Sequence, residues 1–350
     1  MPASAGKCAR MQSMEDARAV TLRQLYDGAQ RGNVGQVQAL LAVLPSDYMS
    51  QVNCALTAAV RNDHADIVAV FAAVGADTWT ETPQTTRLNC APQTTRLNCA
   101  VRHGSVHVAA FLVAAKASVH GADSVRYERP LHTATGKGHL SCVSLLLAMK
   151  ASTWVDNAIF NALHFAARSG HADVVECLLR AKADHQRPNR FSETPLYLAA
   201  CGQHEPVMRV LLGVRADVNP PSPCTTPLWG AARQARSPGT VQLLLGARAD
   251  VNATLDQGYT ALCLYVAYGC PDAVVKLLLC AKADVHAASV HGHTALHIAA
   301  RDGRRSTAHL LVRAKADVHA TSTSGNTAAA CALLNKHVEL AEYLKTNVGV

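Results

Sequence analysis

Residues 160–184, FNALHFAARSGHADVVECLLRAKAD, hold two apolar runs separated by Ser-Gly-His and closed by a charged stop. Leu163, Ala166 and Ala167 fall on one helical face of the first run. Val174, Val175, Leu178 and Leu179 do the same in the second. Gly170 stands between them, where the chain has to turn sharply between helices. The stretch therefore predicts an antiparallel helix pair. A pair of this size cannot bury its apolar faces alone, so the rest of the chain must supply neighbours for it to stack on.

It does supply them. Asn161-Ala-Leu-His164 resembles the T-P-L-H start of an ankyrin repeat, a turn plus two helices with a period near 33 residues. The residue matching the motif's Thr falls at Arg23, Cys54, Thr95, Arg129, Asn161, Thr194, Thr226, Thr260, Thr294 and Thr327. The gaps are 31, 41, 34, 32, 33, 32, 34, 34 and 33 residues. The resemblance covers almost the whole chain. It implies an all-α ankyrin-repeat solenoid of stacked helix-turn-helix pairs joined by β-turn loops, with ten repeats over 21–350. The segment 1–20 before it is expected to be partly disordered, irregular over 1–12 and then helical from a cap at Ser13–Asp16.

One gap is out of line, and PQTTRLNCA explains it. This nonapeptide at Pro83–Ala91 is repeated without change at Pro92–Ala100. Either Thr86 or Thr95 could open the third repeat. Only the second copy runs into VRHGSVHVAAFLVAAKAS, which assigns the start to Thr95 and makes the first copy part of a loop insert within 83–100. The terminal repeats are degenerate, as expected where one face meets water: Gln36 and Gln38 interrupt the first, and the second helix of the tenth is polar. Repeats seven and eight each carry a Pro and one extra residue in the inter-helix turn.

Composition fits thin helical layers. Hydrophobic residues make up 49%, aromatics only 5%. The formal charge of +8 permits acidic partners without requiring them. Twelve cysteines include no C-x-x-C pair, and Cys142, Cys177, Cys201 and Cys331 fall inside expected helices; they read as small buried hydrophobes in a reducing compartment. No apolar run is long enough for a membrane span, and the N-terminus has no h-region. The expectation is a soluble, monomeric, cytoplasmic or nuclear protein.

The chemistry-bearing residues are periodic, and periodicity argues for architecture. His132, His164 and His297 occupy the motif's histidine position, which the resemblance makes a backbone-bonding role; Tyr197 and Trp229 take that slot in other repeats. His139 and His171 lie at inter-helix turns and read as capping residues, and His286 and His319 as loop residues. His291 and His293 flank Gly292, and with His297 they could suggest zinc, but His297 belongs to the motif; no metal is assigned. Asp184, Asp217, Asp250, Asp284 and Asp317 recur once per repeat, unlike a paired acid and base. No phosphate loop, nucleophile elbow or zincin motif occurs, so no catalytic residue and no cofactor is expected.

One departure from the family is systematic. Lys116, Lys150, Lys182, Arg215, Arg248, Lys282 and Lys315 stand where the family's glycine ends the second helix; only Gly75 keeps it. A left-handed residue there costs roughly 1 kcal/mol more with a side chain than as glycine. A cation at a helix C-terminus recovers about 0.3–1 kcal/mol. The column reads first as helix-end charge near each repeat's own Asp, and second as a basic stripe.

The resemblance implies a non-catalytic protein-binding scaffold or adaptor. In the family the contact positions lie just before the motif Thr and just after the paired alanines. Carried onto this chain, they are Asn157, Phe160 and Arg168; Arg190, Phe191 and Glu193; Thr225, Arg233 and Gln234. Further along they are Gln257, Tyr259 and Tyr268; then His291, His293, Arg301 and Asp302. Arg and aromatic side chains are the usual interface anchors, so an acidic or aromatic partner segment is expected. Two alternatives remain open: an anion- or nucleic-acid-binding module using the basic column, for which interleaved aromatics are lacking, and a targeting subunit of a larger complex such as a ubiquitin ligase, for which no docking tail follows the last repeat.

Overall fold

In the computed structural model, the described residues are 3–44, 52–74, 96–120, 129–153, 161–221, 225–233, 237–254 and 257–346, with side chains from 17 onward. Among them lie twenty helices and no β-strand. None of these helices is long and apolar enough to cross a membrane. The chain divides into two compact units, 1–162 and 163–350.

The first unit holds four helix pairs. They are α1 (Ala3–Arg31) with α2 (Val34–Val43), α3 (Asn53–Arg61) with α4 (Ala65–Ala73), α5 (Arg96–His103) with α6 (Val106–Ala114), and α7 (Pro130–Lys137) with α8 (Leu140–Ala148). First helices pack on first helices and second on second, giving two rows. Leu56, Leu97 and Leu131 are buried in one row, and Phe71, Leu112 and Leu146 in the other. Truncating any of these leucines to Ala would cost about 2–5 kcal/mol. Helix α1 runs unbroken from Ala3, so helix stands over 3–12, where an irregular start was expected, and through the expected cap at Ser13.

Helix α5 begins at Arg96, inside the second nonapeptide. The two copies are identical, so their flanks decide. In the first, RLNCA meets Pro92, which can neither donate to a helix nor let Ala91 stay helical comfortably; in the second it meets Val101. Residues 75–95, including the expected loop insert and Gly75, lie outside the described set. Arg96 itself is fully buried, which its place in the motif did not foretell. Its guanidinium donates to Thr57 Oγ1 and, at 3.1 Å, to Asn53 Oδ1 on α3.

The second unit contains α9 (Ala162–Ser169, whose first residue closes the first unit) with α10 (Ala172–Arg180), α11 (Pro195–Cys201) with α12 (Glu205–Gly213), and α13 (Pro227–Ala232) with α14 (Pro238–Gly246). It continues with α15 (Ala261–Tyr268) and α16 (Asp272–Cys280), α17 (Ala295–Arg301) and α18 (Arg305–Arg313), and α19 (Ala328–Leu334) and α20 (Val338–Thr346). Helices α11, α13, α15, α17 and α19 form one row; α10, α12, α14, α16 and α18 form the other. The motif Thr starts the first helices: Thr194 Oγ1 accepts from Tyr197 N at 3.2 Å, and Pro195 and Pro227 occupy the first turn, where no N–H is needed.

The second helices end as the cation column requires. All seven cations have φ between 59° and 69°. At α10, Lys182 N bonds to Leu179 O and Ala183 N to Leu178 O, the double closure of a Schellman motif with Lys in glycine's usual place. The expected pairing of each cation with its repeat's Asp does not occur among the described residues. Asp184, Asp217, Asp250, Asp284 and Asp317 instead accept the backbone N–H two residues on, at 2.8–2.9 Å. Each Asp thus builds an Asx turn, which is the physical reason the carboxylate recurs.

The residue donating to that Asp carries an amide in three repeats, and the amide reaches the next repeat. Gln186 Nε2 donates to Arg215 O and Oε1 accepts from Asp217 N. Asn219 makes the same two bonds with Arg248 O and Asp250 N, and Asn252 with Lys282 O and Asp284 N. This amide ladder stops at His286 and His319, whose side chains replace the amide.

Candidate functional site

The face made by the first helices of the second unit and the fingers that precede them carries the candidate site. Among the described residues, the fingers at Asn189 and Ser289 are held from within. Asn189 Oδ1 accepts from Phe191 N (2.8 Å) and Glu193 N (3.0 Å), and Asn189 Nδ2 donates to the Glu193 carboxylate at 2.8 Å. Ser289 plays the same part with its hydroxyl, accepting from His291 N and His293 N. Neighbouring fingers join through Val290 N to Gln257 O (2.9 Å) and Thr323 N to His291 O (3.0 Å). A rigid tip follows: Phe191 projects 62% exposed on a backbone with no free local donors at its own N–H.

The expected contact residues divide into four groups. Arg168, Arg190, Phe191, Arg233, Gln257, Tyr268, His291, Arg301 and Asp302 are exposed on helix ends or finger tips. Tyr259, His293 and Thr225 are half-buried. Glu193 is half-buried too, but its carboxylate holds Asn189, so it positions the finger. Asn157, Phe160 and Gln234 lie outside the described residues.

Three of these residues converge. Tyr259, His293 and Arg301 rim an open pocket of about 120 Å³. Its floor comes from α15 (Cys263, Leu264, Ala267), α17 (His297, Ile298) and α19 (Cys331). No carboxylate lines it. Arg301 Nε donates to Asp302 Oδ1 at 2.8 Å, which fixes the guanidinium plane. Burial, then Arg301 and His291, push the His293 imidazolium form below its usual range. Of the floor residues, the sequence singled out His297 as a motif histidine and Cys331 as a buried thiol, while Leu264, Ala267 and Ile298 look like core.

The motif histidines are structural. His164 Nε2 lies 3.1 Å from Glu193 O, and His297 Nε2 3.1 Å from Asn326 O, each tying a helix to the next finger. Burial holds His132 and His164 at about 4, the neighbouring Arg129 adding to it at His132. The turn histidines behave differently from expectation: neither His139 nor His171 caps its helix through the side chain. His139 Nε2 sits 3.1 Å from Arg102 O in the preceding repeat, and His204 Nε2 3.0 Å from Arg168 O. The His204 ring covers Gly170, where φ is 83° and a Cβ would come within 2.6 Å of the ring. Gly170 therefore meets both a conformational and a steric demand.

Tyr197 fills the histidine slot of its repeat and is 6% exposed. Its hydroxyl is raised above the usual tyrosine range by burial, then by the nearby Cys201, while a hydrogen bond to Arg233 opposes both. The ring occupies space that Gly230 leaves open on α13: a Cβ there would lie 2.9 Å from the ring and 3.0 Å from Cys201 Sγ.

A family model described as ankyrin repeats (3 copies) matches residues 100–189, 131–222, 163–254, 228–322 and 262–350, together spanning 100–350. The solved structures that match include the crystal structure of human ASB11 ankyrin repeat domain. That match has a TM-score of 0.56 and 26% identity, and covers 65% of this chain and 96% of that one. No curated protein sequence matches at a significant level.

Proposed function

The chain belongs to the ankyrin-repeat family, and on that premise we propose that it is a non-catalytic scaffold or adaptor, binding a partner protein through the concave face of repeats five to nine. Ankyrin repeats are protein-interaction modules, and a stacked array offers one long surface rather than a catalytic cleft. The observation that carries the reading is the make-up of that face. Phe191 and Tyr268 stand 62% and 55% exposed on rigid elements. Arg168, Arg190, Arg233 and Arg301 stand exposed beside them, while Glu193 is occupied within its finger and Asp302 by Arg301. A segment with acidic and aromatic or aliphatic side chains complements such a surface. We place the protein as a monomer in the cytoplasm or nucleus.

The test separates this face from the basic column. A partner recovered with the full chain is bound to two triple variants, Arg168→Glu/Arg190→Glu/Arg301→Glu and Lys182→Glu/Arg215→Glu/Lys282→Glu. The first should lose roughly 2 kcal/mol or more, about thirtyfold in Kd, and the second little. The reverse pattern refutes the groove and makes the column the binding surface. Five of the seven column cations, from Lys182 to Lys315, lie two residues from an exposed Asp, so that part of the column carries alternating rather than uniform charge.

A further inference from the structure

The pocket of repeats eight to ten gives this face depth at one end. Its volume of about 120 Å³ is somewhat less than the ~150 Å³ that admits a benzene ring in an apolar cavity. That is room for one branched or thioether aliphatic side chain and too little for an indole. The floor is aliphatic or thiol at Leu264, Ala267, Ile298, Cys263 and Cys331, with the buried His297 imidazole tied to Asn326 O. Burial raises both thiols above their usual range and lowers His297 below its own, so the floor stays uncharged.

Charge enters only at the rim, and it is positive. Asp302 lies 2.8 Å from Arg301 Nε and 3.8 Å from Arg304 Nε, so one carboxylate is shared between two guanidinium groups. Arg301 is held by Asp302 along its Nε edge, which leaves further N–H donors of the fork for another acceptor. His293 and Tyr259 add neutral hydrogen-bonding groups suited to a peptide backbone.

We propose that this pocket is the anchor subsite of the interface: it seats one Leu or Met side chain of a partner's linear segment, while Arg301 pairs with an Asp or Glu close by in that segment. The inference rests on the groove reading and names the chemistry at one end of it. Binding energy concentrates in well-packed, desolvated pockets, and Arg is among the residues that carry it.

A phage-displayed library of random peptides selected on the full chain tests it. Enriched peptides should carry Leu or Met within a few residues of Asp or Glu. Ala267→Phe, which fills the pocket without changing charge, should weaken them roughly tenfold or more, and so should Arg301→Gln. Arg301→Gln is an exposed change and keeps the test valid should Ala267→Phe unfold. Peptides indifferent to both changes but lost with Arg168→Glu/Arg233→Glu overturn the pocket and leave the groove standing. Peptides indifferent to all four changes overturn both. Failure to enrich any aliphatic-acidic motif overturns the pocket, as does self-association of the chain that Ala267→Phe abolishes, which would make a second copy the occupant.

Discussion

Replacing His286 by Asn should extend the amide ladder by one rung. The turn is already formed, because His286 N donates to Asp284 Oδ1 at 2.8 Å just as Asn252 N donates to Asp250 Oδ1 at 2.9 Å. An Asn at 286 would face Lys315 O and Asp317 N as Asn252 faces Lys282 O (3.3 Å) and Asp284 N (2.8 Å). Two bonds are gained. A net intramolecular bond contributes about 0.5–1.5 kcal/mol, and these are exposed, so the low end applies: about 1 kcal/mol for the pair. Amide exchange at Asp317, measured by NMR, should slow by about fivefold, since ~1.4 kcal/mol is a factor of ten. The converse change, Asn252→His, should speed exchange at Asp284 by a similar factor. Exchange unaltered in both variants would show that water satisfies these groups equally well and that the ladder contributes no stability.

Lys182→Gly should stabilise the array by up to about 1 kcal/mol in urea denaturation, because φ is 60° at an exposed side chain and the lost dipole term is smaller; a clear loss would reveal a Lys182 contact that matters. Deleting Pro83–Ala91 should leave the thermal midpoint within a few degrees, since the remaining copy still runs into Val101 and loop closure depends only weakly on length; a larger fall would mean that the first copy packs on the repeats. Stability should fall as pH drops. His132 and His164 titrate at about 4 when folded and near 6.5 when unfolded, so the unfolded chain binds more protons between those values. Their contribution is complete above about 6.5 and is lost towards 4, and His164→Gln should flatten that slope in denaturant titrations at successive pH values.

The helix pairs and their register were legible because an apolar face repeats and each motif start is local. Thr95 was legible for the same reason, since Pro92 spoils the rival copy within six residues. The left-handed cations could be read from one substituted column. Apart from the backbone bonds of the motif histidines, what escaped were features whose partner lies a full repeat away. Asn219 reads as loop polarity until Arg248 O and Asp250 N are placed beside it. Arg96 reads as a surface residue until Asn53 and Thr57 enclose it. Among the expected contacts, Tyr259, His293 and Arg301 do share one pocket, but its floor of Cys263, Ala267, Ile298 and Cys331 comes from three successive first helices and leaves no contiguous trace. The extension of the leading helix from Ser13 back to Ala3 was missed because that stretch has no clear apolar stripe to announce it.

Tandem arrays are often treated as strings of interchangeable parts, copied, deleted or shuffled one at a time. Gly230 limits that freedom here. The Tyr197 ring needs the missing Cβ of Gly230, so the sixth repeat tolerates the seventh as its neighbour and would reject a copy of the ninth, which brings Ile298 to the same position. Recombination at this point must move the sixth and seventh repeats together. The smallest heritable block is then a two-repeat cassette, and lineages that expand or contract this array should keep the Tyr-Gly pair linked even where single repeats on either side come and go.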